Sequence, residues 1–133
     1  MENMYLGLAH IAVNTNDLEK SIDFYKKLGG KISAEDGLDQ PEGRLEIVML
    51  ELGGVTIELL YGPGARSTGD GAIPHIALYV KDVDQAAAAI RAAGIDSFKT
   101  AEKEVKPQLL GGVENWFFTG PSGEEIELMA RLG

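Results

Sequence analysis

His10-Ile11-Ala12-Val13 and His75-Ile76-Ala77-Leu78 begin two stretches that superimpose at an offset of 75 − 10 = 65, without a gap, as far as Gly29 and Gly94. Within that register Asp17 falls on Asp82, Leu18 on Val83, Ile22 on Ala87, Tyr25 on Ile90 and Leu28 on Ala93. Each stretch opens with a short β-branched run and continues with apolar residues at helical spacing: Leu18, Ile22, Tyr25 and Leu28 in the first, Val83, Ala86, Ile90 and Ala93 in the second. The pattern predicts a strand followed by an amphipathic helix, twice. Asn16 with Glu19, and Asp82 with Gln85, are the expected capping pairs, and Gly29-Gly30 and Gly94 are the expected stops.

Strand-like runs follow each helix. They are expected over 31–34, 45–52 and 55–61 in the first half, and over 96–100, 115–119 and 124–130 in the second. The halves meet across a glycine-rich stretch from Gly62-Pro63-Gly64 to Ala72-Ile73-Pro74. Ile57-Glu58-Leu59 repeats as Ile126-Glu127-Leu128 at an offset of 127 − 58 = 69, so the duplication reaches the last strand of each half. The expected architecture is α+β: two tandem βαβββ modules, residues 5–62 and 73–131, forming one curved, partly open mixed sheet within a single domain.

The chain of 133 residues is 44% hydrophobic and contains no cysteine, which excludes disulfides, thiolate metal sites and a cysteine nucleophile. Its formal charge of −9 argues against a nucleic-acid backbone or an anionic membrane as partner. No secretory pattern opens the sequence and no run approaches a membrane span, so a soluble, cytoplasmic protein acting on a small molecule is expected.

His10 and His75, the two histidines of the chain, hold equivalent places in the first strand of each half, and Glu58 and Glu127 hold equivalent places in the last. Side chains alternate across a strand, so His10, Ala12 and Asn14 share one face, as do His75, Ala77 and Tyr79. If the other face packs on the helix, each half presents one His and one Glu on its concave side. Two imidazoles with two carboxylates suit a divalent cation such as nickel, cobalt, zinc, iron or manganese. Singly, each of these residues is more readily explained as an ordinary strand residue; the matched positions in two copies point to a metal site. Glu125 lies on the same strand face as Glu127, and the repeat register favours Glu127.

The same residues resemble the glyoxalase, bleomycin-resistance and extradiol dioxygenase superfamily, the vicinal oxygen chelate (VOC) proteins. The resemblance rests on Leu8-Ala9-His10-Ile11-Ala12-Val13, on Asp17 to Tyr25, on Pro74 to Leu78, and on Gly120-Pro121-Ser122-Gly123 leading to Glu127. It implies paired βαβββ modules around one divalent metal, held by His10, Glu58, His75 and Glu127. The His, Glu, His, Glu order is similar to that of glyoxalase I, which implies a lyase or isomerase that transfers a proton through a metal-bound enediolate of a thiol hemithioacetal or related dicarbonyl. Glu127 is then the expected base, leaving the metal as it acts, with Glu58 serving the opposite face. Nickel is the metal the resemblance favours, followed by zinc, with cobalt or manganese able to replace it. It also implies a homodimer whose sites are either shared between subunits or closed within one chain.

Two departures bear on substrate. Asn14 and Gly62 stand where glutathione-dependent relatives carry an Arg and an Asn. Asn14, Tyr79 and Trp116 are the candidate substrate contacts, with Phe118 as a further aromatic. Arg44 and Arg66 read as solvated surface cations, and residues 106–113 as a candidate closing loop. The competing functions are an acyl-CoA epimerase of the same fold, disfavoured by Glu58 and the negative charge, and a drug-sequestering protein without turnover.

Overall fold

A computed structural model describes residues 8–65, 73 and 75–133. The expected start of the first module at residue 5, and Arg66 and Pro74, lie outside the described residues. The elements run β1 (Ile11–Asn14), α1 (Leu18–Lys27), β2 (Lys31–Gln40), β3 (Gly43–Leu52), β4 (Val55–Tyr61), β5 (Ile76–Tyr79), α2 (Val83–Ala92), β6 (Glu104–Lys106), β7 (Val113–Thr119) and β8 (Glu125–Arg131). This is the βαβββ unit twice.

Each unit forms its own four-stranded mixed sheet, in the orders β1-β4-β3-β2 and β5-β8-β7-β6. The first strand of each unit runs parallel to the last, placing Ala12 beside Glu58 and Ala77 beside Glu127, while the remaining pairs are antiparallel. The curved sheet expected from the sequence is thus two sheets joined through one hydrophobic core. Phe24, Tyr25, Leu50, Ile57 and Leu59 of the first unit pack in one cluster with Val83, Trp116, Phe118, Ile126 and Leu128 of the second. The rings of Phe24 and Phe118 meet across the joint with centroids 6.1 Å apart. Each fully buried side chain of this size contributes about 1.5–3 kcal/mol relative to exposure.

Both helices start on aspartate. Asp17 Oδ1 accepts from Lys20 N at 3.1 Å and Asp82 Oδ1 from Gln85 N at 2.9 Å. The first cap is therefore Asp17, the true repeat partner of Asp82. Asn16 lies one residue before it, where its backbone amide donates to Ser122 Oγ of the other module at 2.9 Å. Gly29 and Gly94 follow the two helices at φ +102° and +97°, a conformation glycine adopts without strain.

Two strands differ from expectation. β2 extends to Gln40 because a long hairpin with β3 carries its polar, exposed half. In the second unit, 96–100 supplies only one bridge, Phe98 with Phe118, and the edge strand is the short β6 instead. Among the described residues, no helix is long and apolar enough to cross a membrane.

Candidate metal centre

Each histidine sits immediately before the first strand of its module, beside the glutamate of the adjoining parallel strand. His10 Nε2 lies 3.3 Å from Glu58 Oε1, and His75 Nε2 lies 3.1 Å from Glu127 Oε1. Strand alternation accounts for both pairs. Ile57 and Leu59, like Ile126 and Leu128, turn into the core, so the glutamate between them turns to the opposite face of its sheet.

The two pairs stay apart. Among the described residues, no group of three or more His, Asp or Glu lies close enough together to hold one ion. The described residues thus hold two separate pairs, each an imidazole beside a carboxylate, and do not gather all four expected residues into one cluster. The donor set fits a divalent cation in chemistry, two donors at a time.

The two pairs have different surroundings. The Glu58 side chain is 18% exposed and that of Glu127 is 5% exposed. Asn115 Nδ2 donates to Glu127 Oε2 at 2.9 Å, so both carboxylate oxygens are engaged. A carboxylate this buried needs such partners, since an unpaired one costs several kcal/mol or takes up a proton. The His75 ring meets Phe117 edge to face, with centroids 5.2 Å apart. In the first module the cross-strand partner of Glu58 is Met49, and Ile47 and Leu60 continue the same face as an apolar wall.

The expected substrate contacts divide. Asn14 and Tyr79 lie on the ligand-bearing faces and are exposed; the Tyr79 hydroxyl is engaged by Arg131 Nη2 at 3.1 Å. Trp116 does not line the site. It is 6% exposed on the helix side of β7, with its ring tilted against Phe98 and under the Arg91 guanidinium. Phe118 is in the core too. The aromatic on the His75–Glu127 side is Phe117, paired across the strands with Glu127. Period-two counting along β7 separates Asn115 and Phe117 from Trp116 and Phe118, and the bulk of the latter pair marks them as the core face.

Arg44 is exposed and paired with Asp39 and Glu46. The neighbouring carboxylates, Asp39 first, hold its guanidinium pKa above the ordinary value. Glu125 is engaged by Lys99. Gly62 has φ +136°, and a Cβ there would come within 2.7 Å of Arg44 O, so this position cannot present the amide side chain of glutathione-dependent relatives. In the 106–113 loop, Leu109 and Leu110 are exposed, and Arg131 Nη1 donates to Leu110 O at 3.2 Å.

Comparison with known proteins places this geometry in a family. Residues 7–128 match the Glyoxalase/Bleomycin resistance protein/Dioxygenase superfamily, to which the chain belongs. A lactoylglutathione lyase of Escherichia coli O157:H7 is 33% identical over 130 residues, covering 93% of this chain and 92% of that protein. The uncharacterised protein YwbC of Bacillus subtilis is 30% identical over 125 residues, covering 92% and 95%. Among solved structures, a glyoxalase family protein from Enterococcus faecalis superimposes with a TM-score of 0.70 at 24% identity, covering 94% of this chain and 98% of that one. A mutant of the fosfomycin resistance protein FosX from Listeria monocytogenes, complexed with Mn(II) and 1S,2S-dihydroxypropylphosphonic acid, does so with a TM-score of 0.70 at 21% identity, covering 97% and 93%. These structures establish the shared fold. Members of this superfamily are often enzymes acting on small molecules, and the FosX complex holds a divalent metal.

Proposed function

We propose that the chain is a metal-dependent lyase or isomerase of glyoxalase I type, acting on a thiol hemithioacetal or a related dicarbonyl. We further propose that its metal centre forms between two copies, His10 and Glu58 from one and His75 and Glu127 from the other. The observation that carries this reading is the pair of half-sites: two His–Glu pairs with donors 3.1–3.3 Å apart, equivalent by repeat, and separate within one chain. A twofold dimer would create two such centres. The exposure of Ala12, Asn14, Ala77 and Tyr79 on the ligand-bearing faces supports a partner surface there.

A bound divalent cation, with nickel the first choice, followed by zinc, cobalt or manganese, would polarise two adjacent substrate oxygens and stabilise the enediolate that proton removal creates. The chain's own residues do the rest. His10 and His75 are fixed donors, the second held by Phe117. A glutamate carries the proton between the two carbons, which requires its oxygen to come within hydrogen-bond reach of each. The apolar wall of Ile47, Met49 and Leu60 beside Glu58 suits the substrate's carbon chain. Similarity to lactoylglutathione lyase supports the reaction class, while Asn14 and Gly62 speak against a glutathione grip of the usual kind. A cytoplasmic location fits the absence of cysteine.

The test is isomerisation of the methylglyoxal hemithioacetals of glutathione and of smaller thiols by chelated protein, reloaded with nickel, cobalt, zinc or manganese. Metal-dependent turnover that is lost in Glu58→Gln or Glu127→Gln supports the reading. Tight metal binding without turnover on any thiol adduct rejects it.

A further inference from the structure

Among the described residues, one buried side-chain atom lacks a hydrogen-bond partner, Asn115 Oδ1, and it belongs to the amide that grips Glu127. An ionised carboxylate only accepts, so Nδ2 must face Glu127 and the orphaned oxygen must face away; the opposite rotamer would set acceptor against acceptor. Asn115 is 3% exposed, lodged between Glu104 of β6 and Met129 of β8. Burying that unpaired oxygen is a cost that packing gives no reason to carry; the donor on the same amide is the reason for the residue.

The first module lacks this device. Leu60 corresponds to Met129 at the offset that relates Glu58 to Glu127, and the cross-strand partner of Leu60 is Ile47. Ile47 therefore stands where Asn115 stands, and an aliphatic side chain is compatible with that place in the sheet. Glu58 has His10 as its polar partner among the described residues and is the more exposed of the two glutamates.

We infer that Asn115 is a positioning residue that fixes Glu127 through Oε2, turning Oε1 toward His75, so that Glu127 is the permanent carboxylate of the metal centre and Glu58 the one free to swing from it. This inference rests on the metal-site reading above. It reverses the division of labour implied by likeness to glyoxalase I, in which Glu127 leaves the metal. Groups that orient a ligand are worth about 10–100-fold in metal affinity. Among the described residues Glu58 has no such amide partner, His10 being the polar group beside its carboxylate.

The experiment measures nickel affinity of the metal-free, full-length protein by competition with a chromophoric chelator. The variants are Asn115→Ile, Glu127→Ala and Glu58→Ala, with Asn115→Ile also placed on each glutamate background. Circular dichroism verifies the fold, and Asn115→Ser, too short to reach Oε2, replaces Asn115→Ile if the latter does not fold. The expected result is a loss of about 10–100-fold for Asn115→Ile that persists on Glu58→Ala and vanishes on Glu127→Ala. Glu127→Ala is expected to weaken nickel more than Glu58→Ala. Parental affinity in Asn115→Ile, an equal loss on both backgrounds, or the opposite order of the two glutamates overturns the inference. A parent that itself binds no nickel overturns the metal reading, a result distinguishable before any substitution is made.

Discussion

The Tyr25 hydroxyl donates to Glu124 Oε2 at 3.0 Å, fastening α1 of the first module to the turn that enters β8 of the second. Ser122 N donates to the other oxygen of Glu124 at 2.9 Å, and Ser122 Oγ reaches Thr15 Oγ1 at 3.1 Å. The turn that delivers Glu127 is thus held by the opposite module. Tyr25→Phe leaves Glu124 short of a donor and is expected to lower stability by about 1–3 kcal/mol, read by urea denaturation.

The same residue gives a pH prediction. Burial, followed by the charge of Glu124, pushes the Tyr25 pKa far above its ordinary value. Above about pH 10 the unfolded chain therefore releases a proton that the folded chain keeps, and folding stability falls as pH rises. Tyr25→Phe removes that term, so its stability curve above about pH 10 should be shallower than the parent's by up to about 1.4 kcal/mol per pH unit. Identical slopes in parent and variant would contradict the account.

Helix capping assigns Asp17 and Asp82 matched roles, each accepting from the amide three residues on. Asp17→Ala and Asp82→Ala should each cost about 0.5–2 kcal/mol in denaturant melts, with the two losses additive because the helices belong to different modules.

Two adjacent aromatics should separate stability from metal binding. Trp116→Ala is expected to cost about 3–5 kcal/mol, since its ring is core on the helix side of β7. Trp116→Phe should lower the melting temperature with nickel affinity unchanged. Phe117→Ala should weaken nickel about 2–10-fold, the equivalent of the ~0.5–1.5 kcal/mol an edge-to-face contact carries, because it releases the His75 ring.

At Gly62, restoring the asparagine of glutathione-dependent relatives should fail. Positive φ and the 2.7 Å approach of a Cβ to Arg44 O make Gly62→Asn destabilising by about 1–3 kcal/mol, with no gain in KM for a glutathione adduct.

The contrast between His10 and Asn115 shows what the sequence carries and what it does not. The histidines, the Ile-Glu-Leu triplets and the helix starts are readable because a duplicated chain reports equivalent positions twice, and strand parity then sends each His and Glu to one face. The first cap is misplaced by one residue when local capping preference is weighed above the repeat register, which aligns Asp17 with Asp82. Trp116 and Phe117 differ only in parity along β7; a run of three aromatics, Trp116 to Phe118, does not say which one faces the Glu127 side, whereas the pairing of Phe117 with Glu127 does. Asn115 gives no signal because its counterpart is Ile47 and its contact is with a diagonal neighbour on the next strand, which a comparison of the two repeats does not reveal. β6 is equally silent, three residues of an edge strand with two of them exposed. That the two His–Glu pairs stay apart among the described residues depends on how two sheets share a core, which no local pattern encodes.

The shared centre is tested most directly by complementation between His10→Ala and His75→Ala. In a mixed dimer, one centre receives both damaged modules and the other receives two intact ones. With random pairing of co-expressed chains, about a quarter of the parental tight nickel sites, with the accompanying isomerase activity, should reappear. A mixture with no more nickel or activity than the two variants apart would contradict a centre assembled from two copies.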